Sequence, residues 1–280
     1  MTKRRRHAGM GHAGHKSKSD RRMEDLKQRI EAGVLPRLMY AHSTELRVQE
    51  SSSAEKGPVT VMGNVAEFTE RLLDGEEAGL IAYVDELLKS GIPLEKVFLD
   101  LLAPVARRLG EMWVADICSF TDVTIGVLRL QRILHRYLPQ FVQRPTHVNS
   151  GQRVLIAALP GEQHTFGKLM VAGFFRRAGW HVDDGPFASN SDLLSVVRRK
   201  WFVAVGISLS CESRIEELAG LISAVRDDSR NRGIGVMVGG WLFNVRPELI
   251  REVGADMGGE DALKSARDAQ TLFGGPDSTA

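Results

Sequence analysis

Between residues 155 and 170 the chain reads LIAALPGEQHTFGKLM. An apolar run of strand character ends in Pro160-Gly161, and His164 follows with Glu162 two residues before it. An imidazole placed there either ligates a metal or caps and packs the helix that follows. Two further stretches carry residue types suited to a bound group. Ser208-Leu209-Ser210 offers hydroxyls, and Gly239-Gly240 removes side chains where a bulky ligand could approach the backbone.

Several familiar chemistries do not match these residues. From Gly161 to Gly167-Lys168 there are five intervening residues, not the four of a Walker A loop, and Leu169 stands where that loop needs Ser or Thr for magnesium. A G-x-G-x-x-G dinucleotide turn does not occur. His135, His147, His164 and His181 lack the clustered spacing of a zinc site. Cys118 and Cys211 are isolated thiols, which suits a reducing compartment and argues against a disulfide scaffold.

The elements that must position these residues are legible in the periodicity. Residues 60–142 read as four helices with short connections, a bundle. Apolar residues at Leu94, Val97, Phe98, Leu101, Leu102, Val105, Leu109, Met112 and Trp113 form one unbroken helical stripe. The last helix carries Val123, Val127, Leu130, Leu134 and Tyr137 and is expected to stop at Pro139. From residue 150 to 275 the rhythm changes. VLIAAL, FVAVGISL and GVMVGG are short apolar runs without alternation, as strands buried on both faces read. Weaker strands are expected at 180–182 and 255–257, with helices at 168–178, 192–199 and 215–227. This alternation predicts an α/β fold, a flavodoxin-like, doubly wound, parallel five-stranded sheet behind a four-helix cap. Ligands of such sheets bind beyond the carboxyl ends of the strands, where the histidine, serine and diglycine stretches all fall.

The 280 residues are of ordinary globular composition, 43% hydrophobic and 26% charged, with a formal net charge of +2. Residues 1–22 hold eight Lys/Arg against one Asp, so the rest of the chain is net acidic. Residues 1–58 read as a disordered basic tail with His7, His12 and His15, a short helix within 23–48, and a linker. The tail is either a solvated arm or a contact for an acidic partner surface or nucleic acid. No apolar run approaches the ~18 residues of a membrane span, and the N-terminus lacks a secretory apolar segment. A soluble, cytoplasmic protein is expected.

The order Glu162-x-His164-x-x-Gly167, Ser208-x-Ser210, Gly239-Gly240 resembles the cobalamin-binding domain, whose usual pattern is D-x-H-x-x-G, S-x-L and G-G. The resemblance covers about residues 65–270. It implies that His164 ligates cobalt from below in place of the cofactor's own base. The nucleotide tail would lie beside the sheet past Ser208, Leu209, Ser210, Gly239 and Gly240, with Glu162, Thr165, Phe166 and Gly167 around the histidine. Glu162 would hold the other ring N–H, as metal-bound imidazoles require. Leu109-Gly-Glu-Met-Trp113 resembles the tryptophan segment of the family's cap over the upper corrin face. Core packing explains Trp113 equally well, and Ser208 and Ser210 are also placed to cap the helix near Arg214.

The departures are informative. Ser210 replaces the leucine of S-x-L. Light-sensing relatives that repress DNA directly carry a Glu-His pair about nine residues after the tryptophan, where this chain has Asp122-Val-Thr124. In WVADICSFTDVTIG and LPGEQHTFGKLM the chain resembles the AerR/PpaA family of cobalamin-binding antirepressors. That resemblance implies a light-responsive transcriptional regulator, not an enzyme, whose partner is a CrtJ/PpsR-type repressor of photosystem genes. Contact with DNA would be indirect or weak, through the basic tail, and there would be no contact with membrane. One of His7, His12 and His15 would then be a candidate upper ligand. A corrinoid methyl carrier and a haem sensor on the same fold are the alternatives.

Overall fold

The computed structural model describes residues 64–143 and 151–274. The basic tail, the helix expected within 23–48, the linker and His147 lie outside the described residues. Four helical runs come first: α1 (Val65–Asp74), α2 (Glu77–Lys89), α3 and α4 (Phe120–Val142). α3 is continuous through three segments, Leu94–Lys96, Val97–Leu102 and Ala103–Val114. Their apolar faces meet in one core, with Phe68, Leu72, Val84, Phe98, Leu101, Leu109, Leu130 and Leu134 essentially inaccessible.

Two helices depart from the sequence expectation. The stripe on α3 is unbroken, but Val97–Leu102 is a π-turn, widened to bonds five residues apart. Pro104 follows after Ala103. Its missing N–H and its ring are incompatible with an ordinary α-turn onto the preceding carbonyls, so the helix widens just ahead of it. In α4, Pro139 does not end the helix, which continues to Val142. The carbonyl that loses its partner belongs to His135, an exposed residue that water can reach. Beyond the proline, Phe141 is buried between Phe98 and Phe174, with ring centroids 4.9 and 4.8 Å away, which holds the last turn down.

The second half alternates strand and helix: β1 (Arg153–Ala158), α5 (Phe166–Arg177), β2 (His181–Asp183), α6 (Asn190–Arg199), β3 (Ala204–Ser208), α7 (Ile215–Asp228), β4 (Gly235–Gly239), α8 (Trp241–Val245), α9 (Glu248–Glu252), β5 (Met257–Gly259) and α10 (Ala262–Phe273). All pairings are parallel, and the strand order is β2-β1-β3-β4-β5, the flavodoxin-like order expected. One sheet face packs with α6 and α7 around Leu155, Val205, Val236 and Leu221. The other face carries Ile156, Met237 and Met257 and shares a core with α5, α10 and the bundle.

Bundle and sheet meet along a seam between α4 and α5, which run parallel. At its lower end Leu138 fills the space over Gly173, where an added Cβ would lie 2.4 Å from Leu138 Cδ1. The Arg177 guanidinium stacks over Phe141 at 4.4 Å. At its upper end the side-chain amide of Gln131 donates to Thr165 Oγ1 at 3.1 Å. Gln131 thus sits level with the carboxyl edge of the sheet. From Phe120 to Gln131, α4 overhangs that edge by about 16 Å at 1.5 Å per residue.

Candidate functional site

The loop after β1 is built by Pro160-Gly161. Gly161 has φ +84, and Glu162 N–H bonds back to the Leu159 carbonyl at 2.8 Å, a tight turn that only glycine occupies without strain. The turn swings Glu162 inward, where its side chain is only 5% exposed, while His164 stands out with 67% of its side chain exposed. One Glu162 oxygen accepts from the Ser210 backbone N–H at 2.9 Å. The other accepts from His164 N–H at 3.1 Å and lies 2.5 Å from His164 Nδ1. The loop after β1 is therefore fastened to the loop after β3 through a single carboxylate.

The ionisation of this carboxylate follows from its contacts. Burial pushes the Glu162 pKa up, but the bonds from the His164 ring, the Ser210 N–H and the His164 N–H together outweigh it and hold the value at about 2. A carboxylate only accepts, so Nδ1–H donates to it, which leaves Nε2 as the ring nitrogen available to a ligand. That is the arrangement of a metal-ligating histidine with its outer partner in place. Among the described residues no three His, Cys, Asp or Glu side chains gather to hold a metal ion. A lone imidazole suits a metal that arrives already held by a macrocycle, not one that the chain must cage by itself.

The strand register supplies a second feature. Ala158, Ser208, Gly239 and Gly259 are cross-strand partners in β1, β3, β4 and β5, one row of small residues at the carboxyl edge. By alternation they share the face of Ile156, Met237 and Met257, towards α5 and α10. Ser208 Oγ is buried in this row without a hydrogen-bond partner, which a ligand's polar group would correct. A Cβ on Gly239 or Gly167 would meet nothing within 4 Å, so packing of the described residues does not demand glycine at either place. Gly240 differs: with φ +116, its added Cβ would lie 2.3 Å from the Leu209 carbonyl oxygen, so the fold itself requires it.

The upper wall comes from the bundle overhang. Phe120, Thr124, Leu128 and Gln131 recur on one face of α4. Phe120 and Leu128 are 64% and 52% exposed, although each is a large apolar side chain. Trp113, half-buried at the end of α3, lies 6.0 Å from the Phe120 ring. Ser119 starts α4 as a capping box, accepting from Asp122 N–H while Asp122 Oδ2 accepts from Ser119 N–H at 2.8 Å. The Asp122 carboxyl, held low by these Ser119 bonds, is thereby engaged in capping at the place where direct repressors carry their Glu-His pair.

The structure thus brings together Glu162, His164, Thr165, Gly167, Ser208, Ser210, Gly239 and Gly240 at one edge, with Trp113 on the overhang. Phe166 and Leu209 are instead core side chains, 8% and 0% exposed. Leu209 contributes through its backbone, whose N–H bonds the Gly239 carbonyl and ties β3 to β4. Neither Ser208 nor Ser210 caps a helix, since no side chain caps Glu212–Arg214 or α7. Gln131, Phe120, Leu128, Ala158 and Gly259 escaped the sequence reading. For the last two, only strand register reveals that they align with Ser208 and Gly239.

Residues 152–267 match the B12 binding domain, and residues 65–126 match a second B12 binding domain model. The chain is 31% identical over 173 residues to the "Uncharacterized 20.5 kDa protein in bchF-crtJ intergenic region" of Rhodobacter capsulatus, covering 62% of this chain and 90% of that protein. The chain belongs to the B12-binding family. The monomethylamine corrinoid protein of Methanosarcina barkeri shares its fold, with a TM-score of 0.65 at 15% identity over 74% of this chain and 96% of that one. The cofactor is accordingly cobalamin. The observed site fits it: His164 would hold the cobalt, Glu162 would hold His164, and the row from Ala158 to Gly259 would floor the tail slot. Trp113, Phe120 and Leu128 would face the corrin. Among the described residues no helix is long and apolar enough to cross a membrane.

Proposed function

We propose that this protein is a light-responsive, cobalamin-dependent regulator that acts by direct contact with a CrtJ/PpsR-type repressor. The observation that carries the reading is the relative in Rhodobacter capsulatus, whose name places it between bchF and crtJ. The second of these names is that of the repressor implied by the AerR/PpaA resemblance. Bound cobalamin supplies an upper cobalt bond that light can break or exchange. The chain's part is to hold the lower side through Glu162 and His164 while the overhang above remains adjustable. Leu128 and Phe120 are only 52% and 64% exposed, so covering what remains of each is worth about 1–2 kcal/mol. That is sufficient to bias the bundle between two positions, provided the ligand states differ in affinity for them. Any effect on DNA is then indirect, through the repressor.

The test is binding of purified holoprotein to a CrtJ/PpsR-type repressor in darkness and after illumination, with cofactor-free protein as the third arm. A light-dependent change in affinity of tenfold or more is expected, and equal affinity in all three arms would overturn the reading. A corrinoid methyl carrier is the second reading, prompted by the shared fold with the monomethylamine corrinoid protein. It predicts that holoprotein accepts a methyl group from a corrinoid-dependent donor system, with no dependence of repressor binding on light.

A further inference from the structure

His164 is held from its two sides by different parts of the molecule. On the N-terminal side everything is fastened to the sheet: Glu162 to Ser210 N–H, and the Pro160 carbonyl to the Arg214 guanidinium at 2.6 Å. On the C-terminal side stands Thr165, the residue that precedes α5. A threonine there ordinarily has an extended backbone and turns its hydroxyl onto the first helical N–H groups. Thr165 instead has φ −96 and ψ −9, makes no capping bond, and accepts from Gln131 of the bundle. Gln131 shares its helix face with Thr124 and Leu128, the overhang that would cover the corrin, so the same stretch of α4 reaches both the upper wall and the histidine loop.

We propose that Gln131 is a positioning residue for the axial histidine, acting through Thr165. Displacement of α4 against the sheet pulls on Thr165 while Glu162 stays fixed, and the imidazole between them turns. The cap is thereby coupled to the lower cobalt bond as well as to the upper one. The inference rests on ligation by His164, and its test separates the two.

The full-length protein, labelled with ¹⁵N-histidine, is loaded with hydroxocobalamin and reduced to Co(II). In electron paramagnetic resonance a ligating histidine then splits the cobalt lines into doublets, whereas the cofactor's own base gives triplets. Gln131→Leu and Thr165→Val are each expected to lower the ratio of histidine-ligated to histidine-free cofactor about fivefold, the size of one net hydrogen bond. Where the doublet is complete, the same factor appears as a weaker dissociation constant for hydroxocobalamin. The double variant should go no further, because both remove one bond, and Thr165→Ser should recover the parent ratio within twofold. In the cofactor-free protein, Gln131→Leu should speed amide exchange at residues 166–169. If His164→Ala keeps the doublet, ligation by His164 is wrong. If His164→Ala abolishes it while both single variants match the parent within twofold, or their effects multiply in the double variant, the positioning role fails and ligation stands.

Discussion

The two ends of the α4–α5 seam make opposite use of similar side chains. At the lower end Phe141, Phe174, Leu138 and Arg177 interlock over Gly173 with no space to spare. At the upper end Phe120, whose ring meets Trp113, and Leu128, on the same helix, stand more than half exposed. Large apolar side chains occur at both ends, so hydrophobicity alone does not account for the contrast. What changes is that α5 reaches no higher than its start beside Thr165, whereas α4 extends further. The lower end is a closed core that anchors bundle to sheet, and the upper end is an apolar wall open to a ligand.

Breaking the closed end should have the largest effect. Phe141→Ala removes a ring 1% exposed and in contact with two others, so a loss of about 3–5 kcal/mol in unfolding free energy is expected, read by urea denaturation of the cofactor-free protein. A value below about 1 kcal/mol would mean that the seam is not what anchors the two halves. Next is Gly240→Ala, which forces a side chain into a left-handed backbone and against the Leu209 carbonyl. It should cost about 1–3 kcal/mol with or without cofactor. Glu162→Gln sharpens the comparison from the open side. An amide cannot accept with both ends, so one of the donors on Glu162 loses its partner, at about 1–2 kcal/mol. Cobalamin affinity should fall as well, since the tautomer that exposes Nε2 is no longer enforced.

The sequence was most informative where local chemistry and topology agree. Buried parallel strands have no polar alternation, so β1, β3 and β4 announce themselves, and a strand ending in Pro160-Gly161 places Glu162 and His164 at the carboxyl edge before any coordinates exist. Ser208 and Gly239 were legible as types, but their alignment with Ala158 and Gly259 is a property of register, which no single strand encodes. Phe166 and Leu209 lie within the motif stretches, yet the first turn of α5 and the path of the chain after β3 bury their side chains in the core. Pro139 was read as a stop because a proline disrupts a helix interior. It could not be foreseen that the exposed His135 carbonyl tolerates the loss and that Phe141 holds the turn beyond. Gln131 looked like any polar residue on a bundle surface, and it acquires meaning only beside Thr165.

The smallest effects on stability should come from the open end, where they discriminate best. Leu128→Ala removes a side chain that is already 52% exposed, so the cofactor-free protein should change by no more than about 0.5 kcal/mol. Gly239→Ala adds a methyl group into space with no neighbour within 4 Å and without a left-handed backbone, so it too should leave the cofactor-free fold within about 0.5 kcal/mol. Both nevertheless change the surfaces assigned to cobalamin: one uncovers the wall above the corrin and the other narrows the slot beside the sheet. Isothermal titration with hydroxocobalamin should therefore show a weakening of about tenfold for each, a little over 1 kcal/mol of lost burial or added crowding. Parent-like affinity for Gly239→Ala would move the nucleotide tail off the row running from Ala158 to Gly259. Parent-like affinity for Leu128→Ala would mean that α4 overhangs the edge for some purpose other than covering the cofactor.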